Sequence, residues 1–92
     1  TREKIKLEEP SLYDVIFLND NITTMEFVIR VLKQIFNKNQ EQAEAVMRKI
    51  HNDGQGVVGS YVHEVAEQKG IETTLLARQE NMPLQVKVKK AD

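Results

Sequence analysis

With 92 residues, of which 40% are hydrophobic, the chain can bury one small core and not two. Thirteen basic residues against fourteen acidic ones leave a formal net charge of -1, which removes the general attraction that drives non-specific nucleic-acid binding. The absence of cysteine excludes a disulfide framework, a thiolate nucleophile and cysteine-ligated zinc, and suits a reducing, cytoplasmic setting.

The opening "TREKIKLEEP" is charged, has only Ile5 and Leu7 as large apolar residues and closes on Pro10. It reads as a flexible arm over residues 1–10, followed by a single domain over residues 11–92. In "LYDVIFL" β-branched and aromatic residues crowd both faces of a period-two pattern, as in a largely buried strand that ends at Asn19. Thr23 followed by Glu26 matches a capping box, and Met25, Val28, Leu32 and Ile35 recur at helical spacing, predicting a helix to about Phe36. A second box, Asn39 with Gln42, opens a helix with the stripe Ala43, Val46, Met47 and Ile50, stopped at Asn52-Asp53-Gly54. "GVVGSYV" is a short strand, "EVAEQKGIETTLLARQEN" a helix with a weak point at Gly70 and a limit at Pro83, and Leu84, Val86 and Val88 alternate with polar residues in a last strand.

The order β-α-α-β-α-β predicts an α+β sandwich, a three-stranded antiparallel sheet covered by three helices on one face. The triplet Asn19-Asp20-Asn21 then falls where the first strand gives way to the first helix, a place where Asn and Asp serve ordinary turns. Met47 and His51, four residues apart, share a helix face. A histidine there either complements the helix dipole or faces a ligand, and the apolar stripe beside it is either core or pocket. Metal binding by His51 with Asp20 and Asp53 lacks any established ligand spacing. Ser11 and Ser60 sit in no nucleophile elbow, and no glycine-rich loop precedes a helix. No enzyme and no cofactor are therefore expected. Apolar runs fall far short of the roughly 20 residues of a membrane span, and the residues from Thr1 lack the core of a signal peptide, so a soluble chain without membrane partners is expected.

Taken together, "PSLYDVIFLNDN", "TTMEFVIRVL", Met47 with "IH", "EVAEQK" and "ARQENMPL" resemble, in order and spacing, the ClpS adaptors of bacterial N-degron proteolysis. That resemblance implies a small domain with helices over a three-stranded antiparallel sheet. It also implies a non-enzymatic adaptor that binds the free N-terminal Leu, Phe, Tyr or Trp of N-degron substrates and delivers them to the N-terminal domain of the unfoldase ClpA, or ClpC, for degradation. By position in the motifs, Asn19, Asp20 and His51 match the cradle for the α-amino group, with Asn21 and Thr23 adjoining. Ile22, Met25, Val28, Met47, Ile50 and Leu84 match the hydrophobic pocket, at whose mouth the resemblance places the helical stripe. Glu64, Glu67 and Lys69 match the surface that contacts the unfoldase, and residues 1–10 match the family's arm, here short and without an initiating methionine, as if shortened upstream.

Two positions depart from the commonest family pattern: Asn21 stands where many members have a second aspartate, and Thr24 where many have proline. The first lowers local negative charge. The second gives up a preset backbone at the helix start, a loss that the Thr23–Glu26 box would offset. The alternative is a structural or nucleic-acid-associated small α/β module, whose only basic cluster is the terminal "KVKK".

Overall fold

The computed structural model describes residues 10–91, so the expected arm, Pro10 apart, lies outside the described residues. Six elements follow one another: β1 (Leu12–Leu18), α1 (Met25–Gln34), α2 (Gln40–Asp53), β2 (Gln55–Val62), α3 (His63–Gln79) and β3 (Gln85–Lys90). The strands form one antiparallel sheet in the order β2-β1-β3. The doubly apolar β1 is the central strand because it alone can bury side chains on both faces. Val15 and Phe17 are buried towards the helices, and Ile16 is buried on the other face between Val57 and Lys87 of the flanking strands.

Opposite Val15 the register of β2 shifts, leaving Val58 as an extra residue whose side chain is buried. The bulge switches the parity of the core-facing positions of β2, from Gly56 and Val58 on one side of it to Gly59 and Tyr61 on the other. β3, at the other edge, presents Lys87, Lys89 and Lys90 to solvent. Lysines on an edge strand discourage pairing with another chain, which gives "KVKK" a structural reason.

α3 lies across all three strands, α2 against β2, and α1 against α2. Phe17, Phe27, Leu32, Val31 and Leu84 are among the fully buried side chains between them, and Phe17 meets Phe36 edge to face at 5.6 Å.

Three local expectations are corrected. The N-cap of α1 is Thr24, whose hydroxyl oxygen accepts from the Phe27 amide at 3.1 Å, and not Thr23, which Asp20 holds in the preceding turn. α1 ends at Gln34, capped by Ile35, one to two residues early. α3 runs unbroken through Gly70, which is buried with Val86 and Val88 in ordinary contact distance of the space a side chain would occupy, so packing against β3 overrides its low helix propensity. Among the described residues no helix is long and apolar enough to cross a membrane.

Candidate functional site

The chain leaves β1 through a loop that its own side chains shape. Asp20 Oδ1 accepts from the Ile22 amide at 2.8 Å and the Thr23 amide at 2.6 Å, while Oδ2 accepts from the Thr23 hydroxyl at 2.7 Å. Burial works to raise the Asp20 pKa, but these bonds, those of Thr23 foremost, and the nearby Arg78 guanidinium outweigh it and hold the carboxyl below its ordinary value. An ionised carboxylate offers about four acceptor sites, so Asp20 has spent most of its capacity on the loop. It retains its charge and one free direction.

Asn19 is placed by its backbone. Its amide donates to the Gly54 carbonyl at 2.9 Å, which fastens the end of β1 to the end of α2. α2 starts with the expected capping box: Asn39 Oδ1 accepts from the Gln42 amide at 2.7 Å, and Gln42 Oε1 accepts from the Asn39 amide at 3.0 Å. It stops at Gly54, whose φ of 85° is the left-handed conformation glycine adopts without cost, and whose amide donates to Ile50 at 2.9 Å. Gly56 lets the helix lie close to the sheet, because a Cβ there would come within 2.9 Å of Ile50 Cγ1. With Ala43, Met47 and Ile50 turned into the core, His51 faces outward in the last turn of α2, and it and Asn19 are both exposed.

Between the outer faces of α1 and α2 lies a groove of about 380 Å³, lined by Met25, Ile29, Glu44, Met47, Arg48, His51 and Asn52. Its size falls within the usual range of ligand pockets, about 300–1,000 Å³. The structure thus brings Met25, Met47 and His51 together on one groove. Met25 is 57% exposed and Met47 only 6%, so one methionine forms an exposed rim and the other a buried wall. Val28, Ile50 and Leu84 belong to the core beneath, not to the groove mouth, and Ile22 and Asn21 are exposed on the loop.

Sequence reasoning missed Ile29, Glu44, Arg48 and Asn52, although helical spacing contains them. Ile29 follows Met25 by one turn, and Glu44, Arg48 and Asn52, spaced four apart, form a row alongside Met47 and His51. It also missed Arg78, whose guanidinium Nη1 donates to the Met82 carbonyl at 2.7 Å and the Leu84 carbonyl at 3.1 Å. These bonds tie the turn before β3 in place beside the Asp20 loop.

On the start of α3, Glu64 and Glu67 are exposed, with His63 Nε2 3.5 Å from Glu67 and its ring edge-on to Tyr13. Lys69 is different in kind. Its ammonium donates to the Ile35 carbonyl at 2.7 Å and lies over the Phe36 and Tyr61 rings at 5.6 and 5.3 Å, so it caps the end of α1 instead of projecting from the surface.

The family model described as ATP-dependent Clp protease adaptor protein ClpS matches residues 8–87. The ATP-dependent Clp protease adapter protein ClpS of Campylobacter jejuni is 47% identical over 88 residues, covering 96% of this chain and 92% of that protein. Its counterpart in Treponema denticola is 49% identical over 85 residues, 92% of this chain and 84% of that one. Among solved structures, Agrobacterium tumefaciens ClpS2 bound to L-phenylalaninamide superposes with a TM-score of 0.86 at 35% identity, covering 90% of this chain and 100% of the other.

Proposed function

Because the chain belongs to the ClpS adaptor family, we propose that its α1–α2 groove captures the free N-terminal Leu, Phe, Tyr or Trp of a substrate for an ATP-dependent Clp protease. The adaptor itself performs no catalysis. The observation that carries the reading is a groove that brings Met25, Met47 and His51 together, with the loop of the ionised Asp20 fastened to the end of the same helix through Asn19 and Gly54, in a chain related to a ClpS2 bound to L-phenylalaninamide.

An N-terminal residue presents an ammonium with three donors and, one bond away, a side chain. The Asn19 amide oxygen and the His51 imidazole accept from the ammonium and the first peptide group, while Asp20 supplies negative charge through its remaining oxygen direction. The side chain enters between Met25 and Met47, whose polarizable thioethers suit an aromatic guest, and Val28, Ile50 and Leu84 close the pocket from beneath. Three charge-assisted hydrogen bonds at about 1.5–3 kcal/mol and one buried side chain at about 1.5–3 kcal/mol total roughly 6–12 kcal/mol. Lost ligand freedom costs at least about 4 kcal/mol, so useful affinity requires the preformed site that the Asp20 bonds maintain.

Glu64 and Glu67 are the contact to the N-terminal domain of a ClpA or ClpC unfoldase, and Lys69 positions that helix by its anchorage to α1. A fluorescence titration with peptides that differ only at the first residue tests the ligand class. Phe and Leu should bind, and Ile, Arg and acetyl-Phe should not; equal binding of acetyl-Phe would overturn the reading.

A further inference from the structure

The chain has no cysteine and no tryptophan, so the side chains that a mild two-electron oxidant attacks first are its three methionines, Met25, Met47 and Met82. The fold treats them differently. Met47 belongs to the buried core and Met82 packs half-buried against it in the turn before β3, whereas Met25, the first residue of α1, stands outside that cluster, more than half exposed on the α1–α2 groove. We propose that Met25 is an oxidative modification site: hydroperoxides convert its thioether to the sulfoxide, and this weakens capture of an apolar N-terminal side chain until the sulfoxide is reduced. The inference rests on the function proposed above and adds its regulation.

The step requires no other group of the protein. The sulfur lone pair takes the distal oxygen of the hydroperoxide, and the O–O bond breaks as the S–O bond forms. Sulfur is oxidised by two electrons, the peroxide is reduced by two, and the departing oxygen takes the proton of the transferred one and leaves as water or an alcohol. Access therefore sets the order of reaction: the exposed Met25 meets the oxidant directly, while Met47 does so only when the core opens. The product alters the groove and leaves the core packing intact, because Met25 is not part of it. A thioether closes over a Leu or Phe side chain as an apolar, polarizable surface, but a sulfoxide carries an acceptor oxygen for which such a guest has no donor. Binding then either buries that oxygen unpaired or leaves the rim open to water, and both weaken it.

The test treats the full chain with limiting hydrogen peroxide, locates the sulfoxide by peptide-mapping mass spectrometry, and titrates a Phe-initiated peptide before treatment, after it, and after repair by the two methionine sulfoxide reductases, one for each epimer, with a dithiol as electron donor. Met25 should oxidise first, the affinity should fall about three- to tenfold in proportion to its sulfoxide, the melting temperature should hold, and repair should restore binding. Met25→Leu, whatever its starting affinity, should show no further change under the same dose, and Met82→Leu should lose affinity on oxidation as the wild type does. Earlier oxidation of Met47 or Met82, unchanged affinity with Met25 oxidised, or an equal peroxide-induced loss in Met25→Leu overturns the modification site. Failure of the untreated wild type to bind the peptide instead overturns the function on which it rests.

Discussion

The amide of Asn19 donates to the carbonyl of Gly54 at 2.9 Å, and this one bond sets the loop after β1 against the last turn of α2. Residues 35 positions apart in the chain thereby share one end of the molecule. Gly54 can take part because its φ of 85° is open to glycine and strained for other residues.

Gly54→Ala should therefore cost about 1–2 kcal/mol of stability from backbone strain alone, since a Cβ there meets nothing within 4 Å. Thermal denaturation should show a fall of several degrees for a domain this small, and Gly54→Asn a smaller one. The peptide affinity should fall along with it as the turn that positions Asn19 distorts.

Gly56→Ala acts on the helix instead of the turn. Its Cβ would press on Ile50 Cγ1 at 2.9 Å, and Ile50 is buried, so either α2 or the strand must move. A loss of about 1–3 kcal/mol in denaturant unfolding is expected. Because His51 follows Ile50, a weakened affinity for Phe-initiated peptides should accompany it.

Asp20 links stability to pH. Its folded-state pKa lies below the ordinary 3.8, so the loop bonds contribute in full at neutral pH and are lost as pH falls below 3.8 and through the folded value. Asp20→Asn should lose stability at pH 7 and show a flatter acid limb below pH 4 than the wild type in circular-dichroism melts. Asp20→Ala strands the donors of Ile22 and Thr23 and should cost about 1–3 kcal/mol in peptide affinity, as should His51→Ala by removing an acceptor.

Charge reversal separates the two surfaces. Glu64→Lys with Glu67→Lys should leave peptide affinity unchanged and weaken binding to the unfoldase N-terminal domain in a calorimetric titration. Lys69→Met should lower the melting temperature, because it removes the donor to Ile35 and the cation over Phe36 and Tyr61.

Periodicity was enough to read the element order, the Asn39–Gln42 box and the Gly54 stop, because each depends on residues close in sequence. It misassigned the cap of α1 by one residue because Thr23 and Thr24 are chemically alike, and only the folded loop shows that Asp20 claims the first. The helix stripe gave Met47 and Ile50 together, yet could not say that Ile50 turns to the sheet at Gly56 while Met47 also borders a groove. Lys69 looked like a surface charge because its partners, Ile35, Phe36 and Tyr61, are distant or on other elements. Arg78 was legible as part of a motif and not as a brace, since its acceptors are backbone carbonyls that no side-chain pattern reveals.

The measurement that bears most directly on the groove as the binding site for a free N-terminus is a two-dimensional NMR titration of the chain with L-phenylalaninamide and with its N-acetyl derivative. The free amine should shift the backbone and methyl signals of Asn19, Asp20, Met25, Met47 and His51, leave Glu64 and Glu67 in place, and lose its effect on acetylation. Shifts centred elsewhere, or identical shifts from the acetylated compound, would contradict the account.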